Sequence, residues 1–288
     1  MKKLLILSGK GGTGKTTTAA AFIRFSNAHA FADCDVDAPN LHMVASLAQE
    51  PQKSEHYGSQ KAMIHWDTCV GCGKCDAVCR YGAVEKKENK YQISEYGCEG
   101  CGVCAYVCPA KAIEMVDDIA GQKELYQGET VFSTASLKMG RGNSGKLVTA
   151  VKNALFDAAP ETELAIIDGS PGIGCPVIAS MSGVDFVLIV AEPSVSGISD
   201  MERILKTAGM FQTKAAVCVN KYNVSEEKTK IIEEFCAAQE IPFVGRIPYD
   251  KQASIAMNQG KSIADIDCPA RSALKAVYDN TMQLMGLQ

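Results

Sequence analysis

The stretch KLLILSGKGGTGKTTTAAAF, residues 3–22, decides the fold. Residues 3–8 hold an unbroken apolar run that is too short for a helix and reads as a buried strand. Glycines stop it, and a helix is predicted from about Gly14 through Phe25. Between them, Gly9-Lys10-Gly11-Gly12-Thr13-Gly14-Lys15-Thr16 fits G-x-x-x-x-G-K-[ST]. The strand–loop–helix setting gives that pattern its meaning. Glycines let backbone N–H groups wrap a polyphosphate, and the helix N-terminus adds a favourable dipole. Lys15 can neutralise the β and γ phosphates, and the Thr16 hydroxyl can bind Mg²⁺.

Outward from this loop, strands alternate with helices. Strands are predicted over 28–35, 129–137, 163–168, 185–191, 214–220 and 242–247, and helices over 145–158 and 225–239. A last helix runs between Pro269 and Gly286, its core stripe set by Leu274, Val277, Thr281 and Leu284. This alternation implies an α/β fold with a doubly wound, mostly parallel sheet. Residues 49–60 turn polar and read as a linker. Eight of 13 cysteines follow, in two runs that interrupt the alternation. The expected organisation is therefore 1–58, an inserted small α+β domain over 59–117, and 118–288.

The extra lysine in K-G-G-x-G-K-T-T resembles the deviant phosphate loop of the MinD/ParA/Mrp family of P-loop ATPases. The resemblance covers roughly 1–48 and 118–288. It implies ATP or ADP held by Gly11, Gly12, Thr13, Gly14, Lys15, Thr16 and Thr17, with Mg²⁺ on Thr16. It implies that Lys10 reaches a partner's nucleotide across an ATP-dependent homodimer. Asp33-Cys34-Asp35 through Asn40-Leu41 resembles the family's first switch, with Asp35 positioning the attacking water. Asp168-Gly169-Ser170-Pro171-Gly172 resembles the second switch, with Asp168 holding Mg²⁺ through water. Asn220 matches an adenine reader, and Pro248 and Tyr249 match a loop that packs on the base.

Cys69-x-x-Cys72-x-x-Cys75-x-x-x-Cys79 and Cys98-x-x-Cys101-x-x-Cys104-x-x-x-Cys108-Pro109 form the bacterial two-cluster ferredoxin pattern. In that pattern the fourth ligand of each [4Fe–4S] cluster comes from the other run. Cys69, Cys72, Cys75 and Cys108 would hold one cluster, and Cys98, Cys101, Cys104 and Cys79 the second. Arg80 stands where ferredoxins usually place a proline. Cys175, just past the second switch, matches a cysteine that bridges two subunits through a cluster in the nitrogenase iron protein. A second bridging cysteine is missing from 139–146, so Cys175 reads as a small buried residue near a dimer face.

Composition narrows the classes. Basic residues number 29 and acidic residues 33, which argues against nucleic acid as a partner. No apolar run reaches the ~18 residues of a membrane span. The last 16 residues carry one base, Lys275, so no basic membrane-binding helix is expected. Without a signal peptide the expected compartment is a reducing cytoplasm, where clustered thiols bind metal. The whole pattern resembles MinD-superfamily ATPases with an inserted ferredoxin domain. It implies an ATPase whose dimerisation is coupled to its clusters, for electron transfer to, or redox regulation of, a partner protein. The alternatives are a cluster carrier or assembly scaffold, and a positioning or partition-type ATPase with structural clusters.

Overall fold

The computed structural model describes residues 1–43, 45, 47, 49–159 and 161–287. By packing the chain forms two compact units. The first comprises 1–53, 123–136 and 145–288, and the second 54–122 and 137–144.

The first unit is built on a sheet centred on Lys2–Leu7, with Leu164–Asp168 on one side and Phe186–Ala191 on the other. Lys214–Asn220 and Phe243–Ile247 extend it beyond Phe186–Ala191, and Ala30–Asp33 and Val131–Leu137 extend it beyond Leu164–Asp168. These seven strands are parallel. Leu4, Leu5, Ile6 and Leu7 are all fully buried, as a central strand covered on both faces requires. Leu4 and Ile6 share a core with Ala19, Phe22, Leu274 and Val277 of helices Lys15–Ser26 and Pro269–Met285. Those helices meet edge to face, Phe22 against Tyr278, with ring centroids 5.2 Å apart. Because Lys2–Leu7 has later strands on both sides, the loops at its carboxyl end open a crevice, the usual ligand position in such sheets.

Two expectations need correction, and one helix stands where none is expected. The polar stretch read as a linker contains a strand, Gln52–Tyr57, at the end of the sheet beside Ile119–Tyr126. Its side chains are mostly exposed, so backbone pairing forms it and no apolar alternation reports it. Leu284 is 41 % exposed; the stripe of the last helix continues by a four-residue step from Thr281 to Met285, which is buried. A helix over Val195–Met210 had no counterpart in the sequence reading. Its Ser-Val-Ser-Gly opening resembles a turn, but Ser194 is an N-cap whose hydroxyl accepts from Gly197 N at 3.0 Å.

The second unit is a repeat with an offset of 29 residues. Lys61–Ile64 pairs antiparallel with Ile113–Val116, and Val84–Lys87 with Lys90–Ile93. Short helices Lys74–Val78 and Val103–Val107 each follow a left-handed glycine, Gly73 or Gly102. One buried cluster joins Ala62, Ala83 and Cys98, with Ile93, Ile113 and Met115 against it, and Val84, Ala112 and Ala120 are buried as well.

Candidate functional site

The carboxyl ends of three strands bring one lysine and three carboxylates together. Lys15 Nζ lies 2.6 Å from Asp168 Oδ1 and 4.0 Å from Asp35. Thr16 Oγ1 donates to Asp168 Oδ2 at 2.6 Å. Asp168 is fully buried and Lys15 nearly so. Burial alone would lower the lysine's pKa, but the carboxylates of Asp168, Asp33 and Asp35 together outweigh it and hold Lys15 above its ordinary value. Gly14 makes the turn possible: its φ is +98°, and a Cβ there would sit 2.2 Å from the Asn220 side-chain nitrogen.

Asp33 and Asp35 divide the work of their loop. Asp33 accepts backbone N–H bonds from Asp35, Asn40 and Leu41 at 2.9–3.0 Å and so shapes residues 35–41. Burial, reinforced by Asp168, pushes its carboxyl up to about 7. Asp35 is part-buried and also raised by burial, with Lys15 pulling it back. The two acidic loops are tied to each other: Cys34 N donates to Asp168 O at 2.8 Å and Ser170 Oγ to Cys34 O at 2.5 Å.

Beside the loop opens a cavity of about 300 Å³ lined by Gly12, Gly14, Thr17, Asn220, Pro248 and Tyr249. Asn220 donates to Thr13 O at 2.7 Å and accepts from Lys221 N at 2.9 Å, so it also braces the glycine loop. Its amide keeps one further N–H. Two residues escaped the sequence reading. Glu192 lies 3.0 Å from Lys10 and 3.3 Å from Lys221, and Lys221 Nζ donates to Gly12 O at 2.8 Å. Partial burial pushes the Glu192 carboxyl up, but the two lysines outweigh it and hold it below its usual range. The available signal was its place directly after the buried strand Phe186–Ala191, as Asp168 ends its own strand.

In the second unit the cysteines separate into two cavities. One is lined by Cys69, Cys72, Cys75 and Cys108, the other by Cys98, Cys101, Cys104 and Cys79. Each encloses about 20 Å³. Left-handed Gly71 and Gly100 shape the two loops; a Cβ on either would lie 2.1 Å from the carbonyl of Asn89 or Gln60. Backbone N–H groups of Ala83, Ala112 and Ala62 donate to the sulfurs of Cys79, Cys108 and Cys98 at 3.3–3.4 Å. Cys175, expected to be buried, is instead exposed, because it opens helix Cys175–Met181 directly after Gly174 at the protein surface; Cys34, Cys218, Cys236 and Cys268 are buried. Among the described residues no three His, Cys, Asp or Glu side chains are grouped to hold one metal ion, and no helix is long and apolar enough to cross a membrane.

A phosphate loop at the carboxyl end of a central parallel strand, with acids closing the neighbouring strands, defines a P-loop nucleotide-binding protein. The model of the CobQ/CobB/MinD/ParA nucleotide-binding domain matches residues 4–263, and the chain belongs to that family as a MinD/ParA-type nucleotide-binding ATPase. It is 34 % identical over 252 residues to the uncharacterized protein MJ0578 of Methanocaldococcus jannaschii, covering 85 % of this chain and 86 % of that one. It is 27 % identical over 136 residues to an iron-sulfur cluster carrier protein of Methanococcus maripaludis, covering 43 % and 47 %. The cell division ATPase MinD of Pyrococcus furiosus shares the fold, with a TM-score of 0.59 at 15 % identity over 98 % of this chain and 99 % of that one.

Proposed function

We propose that this protein hydrolyses Mg-ATP and couples nucleotide-dependent dimerisation to two [4Fe–4S] clusters, for electron transfer to, or redox regulation of, a partner protein. The observation that carries this is the sorting of eight cysteines into two cavities, each taking three from one run and one from the other. A cube asks each thiolate to take its own iron at a separate corner, so four sulfurs around a space suit it better than ligands converging on a point. The backbone N–H groups aimed at sulfur add the hydrogen bonding that stabilises a reduced cube. Such clusters would supply one-electron storage. The inserted domain is then the second unit.

In the nucleotide unit, polyphosphate oxygens would displace the Asp168 carboxylate from Lys15. Residues 11–17 would wrap the phosphates, with Thr16 on Mg²⁺ and Asp168 holding that ion through water. Asp35 would orient the attacking water, placed by the Asp33 bond to its backbone. Lys10 would leave Glu192 and cross to the partner's nucleotide. Asn220, Pro248 and Tyr249 would receive the base in the adjoining cavity.

The test is the ATP hydrolysis rate of anaerobically purified, iron-loaded protein with oxidised and with dithionite-reduced clusters. A rate that changes with cluster state supports coupling. Equal rates overturn it and favour the second reading, a cluster carrier, which the resemblance to the Methanococcus maripaludis carrier supports. Rapid transfer of iron and sulfide to an apo acceptor would establish that reading.

A further inference from the structure

The 29-residue repeat allows the two cysteine cavities to be compared wall by wall. Ile64 in one matches Ile93 in the other, and Ala112 matches Ala83. The matched positions that differ are few. The Cys69 cavity has Lys74, Val70 and Tyr91 where the Cys98 cavity has Val103, Glu99 and Ala62. Each wall therefore carries a single charged side chain, and the signs are opposite. Tyr91 also brings a hydroxyl over the Cys72–Cys75 loop, 2.9 Å from where a Cβ on Gly73 would stand. Tyr81, which replaces Ala110 at the Cys98 cavity, is 55 % exposed.

A cube gains one negative charge on reduction. An ammonium and a hydroxyl favour that charge, and a carboxylate opposes it. From this pattern we infer that the two sites are unequal, and that the Cys69, Cys72, Cys75 and Cys108 site has the higher potential. Two differences run the other way: Ala62 N donates to Cys98 Sγ at 3.4 Å, and Arg80 follows Cys79 of the Cys98 site where neutral Pro109 follows Cys108. Neither puts a charge in the cavity wall, since Arg80 does not line the Cys98 cavity, whereas Lys74 and Glu99 line theirs with opposite sign. The lysines Lys61 and Lys90 occupy equivalent positions in the repeat and donate at 2.6 Å to the carbonyls of Cys98 and Trp66, and neither lines a cysteine cavity. An external one-electron reductant thus delivers its first electron to the Cys69 site and its second to the Cys98 site.

This inference rests on the cluster reading above, and the experiment separates the two. The holoprotein is titrated potentiometrically under anaerobic conditions, with reduced-cube EPR signals as the readout. The expected result is two one-electron midpoints. Lys74→Gln and Tyr91→Phe lower the upper one, and Glu99→Gln raises the lower one. One shared midpoint, a Lys74→Gln or Tyr91→Phe shift of the lower midpoint, a Glu99→Gln shift of the upper one, or unmoved midpoints in the charge variants would overturn the assignment. Purified protein without the iron and sulfide of two cubes would instead overturn the cluster reading itself.

Discussion

The phosphate loop and the cysteine loops both turn on left-handed glycines, yet they meet their ligands differently. In the first unit Lys15, Thr16 and Asp168 already satisfy one another, inside a core that includes Phe22, Phe132 and Leu147. A ligand there exchanges partners within a fold that stands without it. In the second unit the cysteines line two cavities, and the buried apolar residues are mostly small: Ala62, Cys75, Ala83, Val84, Cys98, Ala112 and Ala120 among the described residues. Such small buried side chains are short of what an independent unit of this size needs, and under the cluster proposal ligand binding supplies the missing folding free energy. On that proposal one unit is a preformed site and the other a ligand-built one.

Iron removal gives the largest test of that contrast. Chelation under anaerobic, reducing conditions is expected to unfold 54–122 as one unit and leave the strands Lys2–Leu7 and Leu164–Asp168 protected. Hydrogen exchange resolves the two. Retained protection across 61–64 and 113–116 without iron would show that the second unit is also preformed, and the contrast would collapse. Loss of protection in both units would show that they fold as one.

The same contrast explains what the sequence discloses. The central strands are legible because a strand covered on both faces must be apolar throughout, as in Leu4–Leu7 and Leu164–Ile167. The phosphate loop and the cysteine runs are legible because their chemistry demands particular residue types at fixed spacing. Gln52–Tyr57 is not, since an exposed end strand is held by backbone pairing and any polar sequence serves. Nor is the double use of Asn220: no spacing shows that an amide facing a ligand cavity also braces Thr13 from 207 residues away. Glu192 stayed hidden because a single acid after a strand is common, and only the two lysines converging on it give it meaning.

A preformed ionic site also carries a pH signature, of intermediate size. The Asp33 carboxyl is raised to about 7 in the folded, nucleotide-free chain, chiefly by burial. In the unfolded chain it ionises near 4. The folded state therefore binds the extra proton between these values. This group's contribution is fully present below about pH 4, falls as pH rises through the window, and is gone above about pH 7. At about 1.4 kcal/mol per pKa unit, the change is on the order of a few kcal/mol. Thermal unfolding from pH 5 to 8 should show it, and the Asp33→Asn variant should lose that slope while being less stable throughout. An unchanged slope in the variant would assign the titration to another group.

The smallest effect concerns Lys10, the residue that would change partners in the proposed ATP-dependent dimer. It is 40 % exposed and paired with a Glu192 that is 23 % exposed. Pairs this open are worth about 0–1 kcal/mol, because water and salt screen them and two side chains lose freedom. Glu192 can therefore bias Lys10 toward its own protomer without locking it there. Glu192→Gln should tighten the ATP-dependent dimer by no more than about fivefold, the equivalent of about 1 kcal/mol. Sedimentation at low and at moderate salt reads this, and the gain should shrink as salt rises. A gain well above tenfold would mean that the pair acts as a buried lock. A weaker dimer would mean that Glu192 matters more for Lys221, whose ammonium reaches Gly12 O and helps hold the phosphate loop open for its ligand.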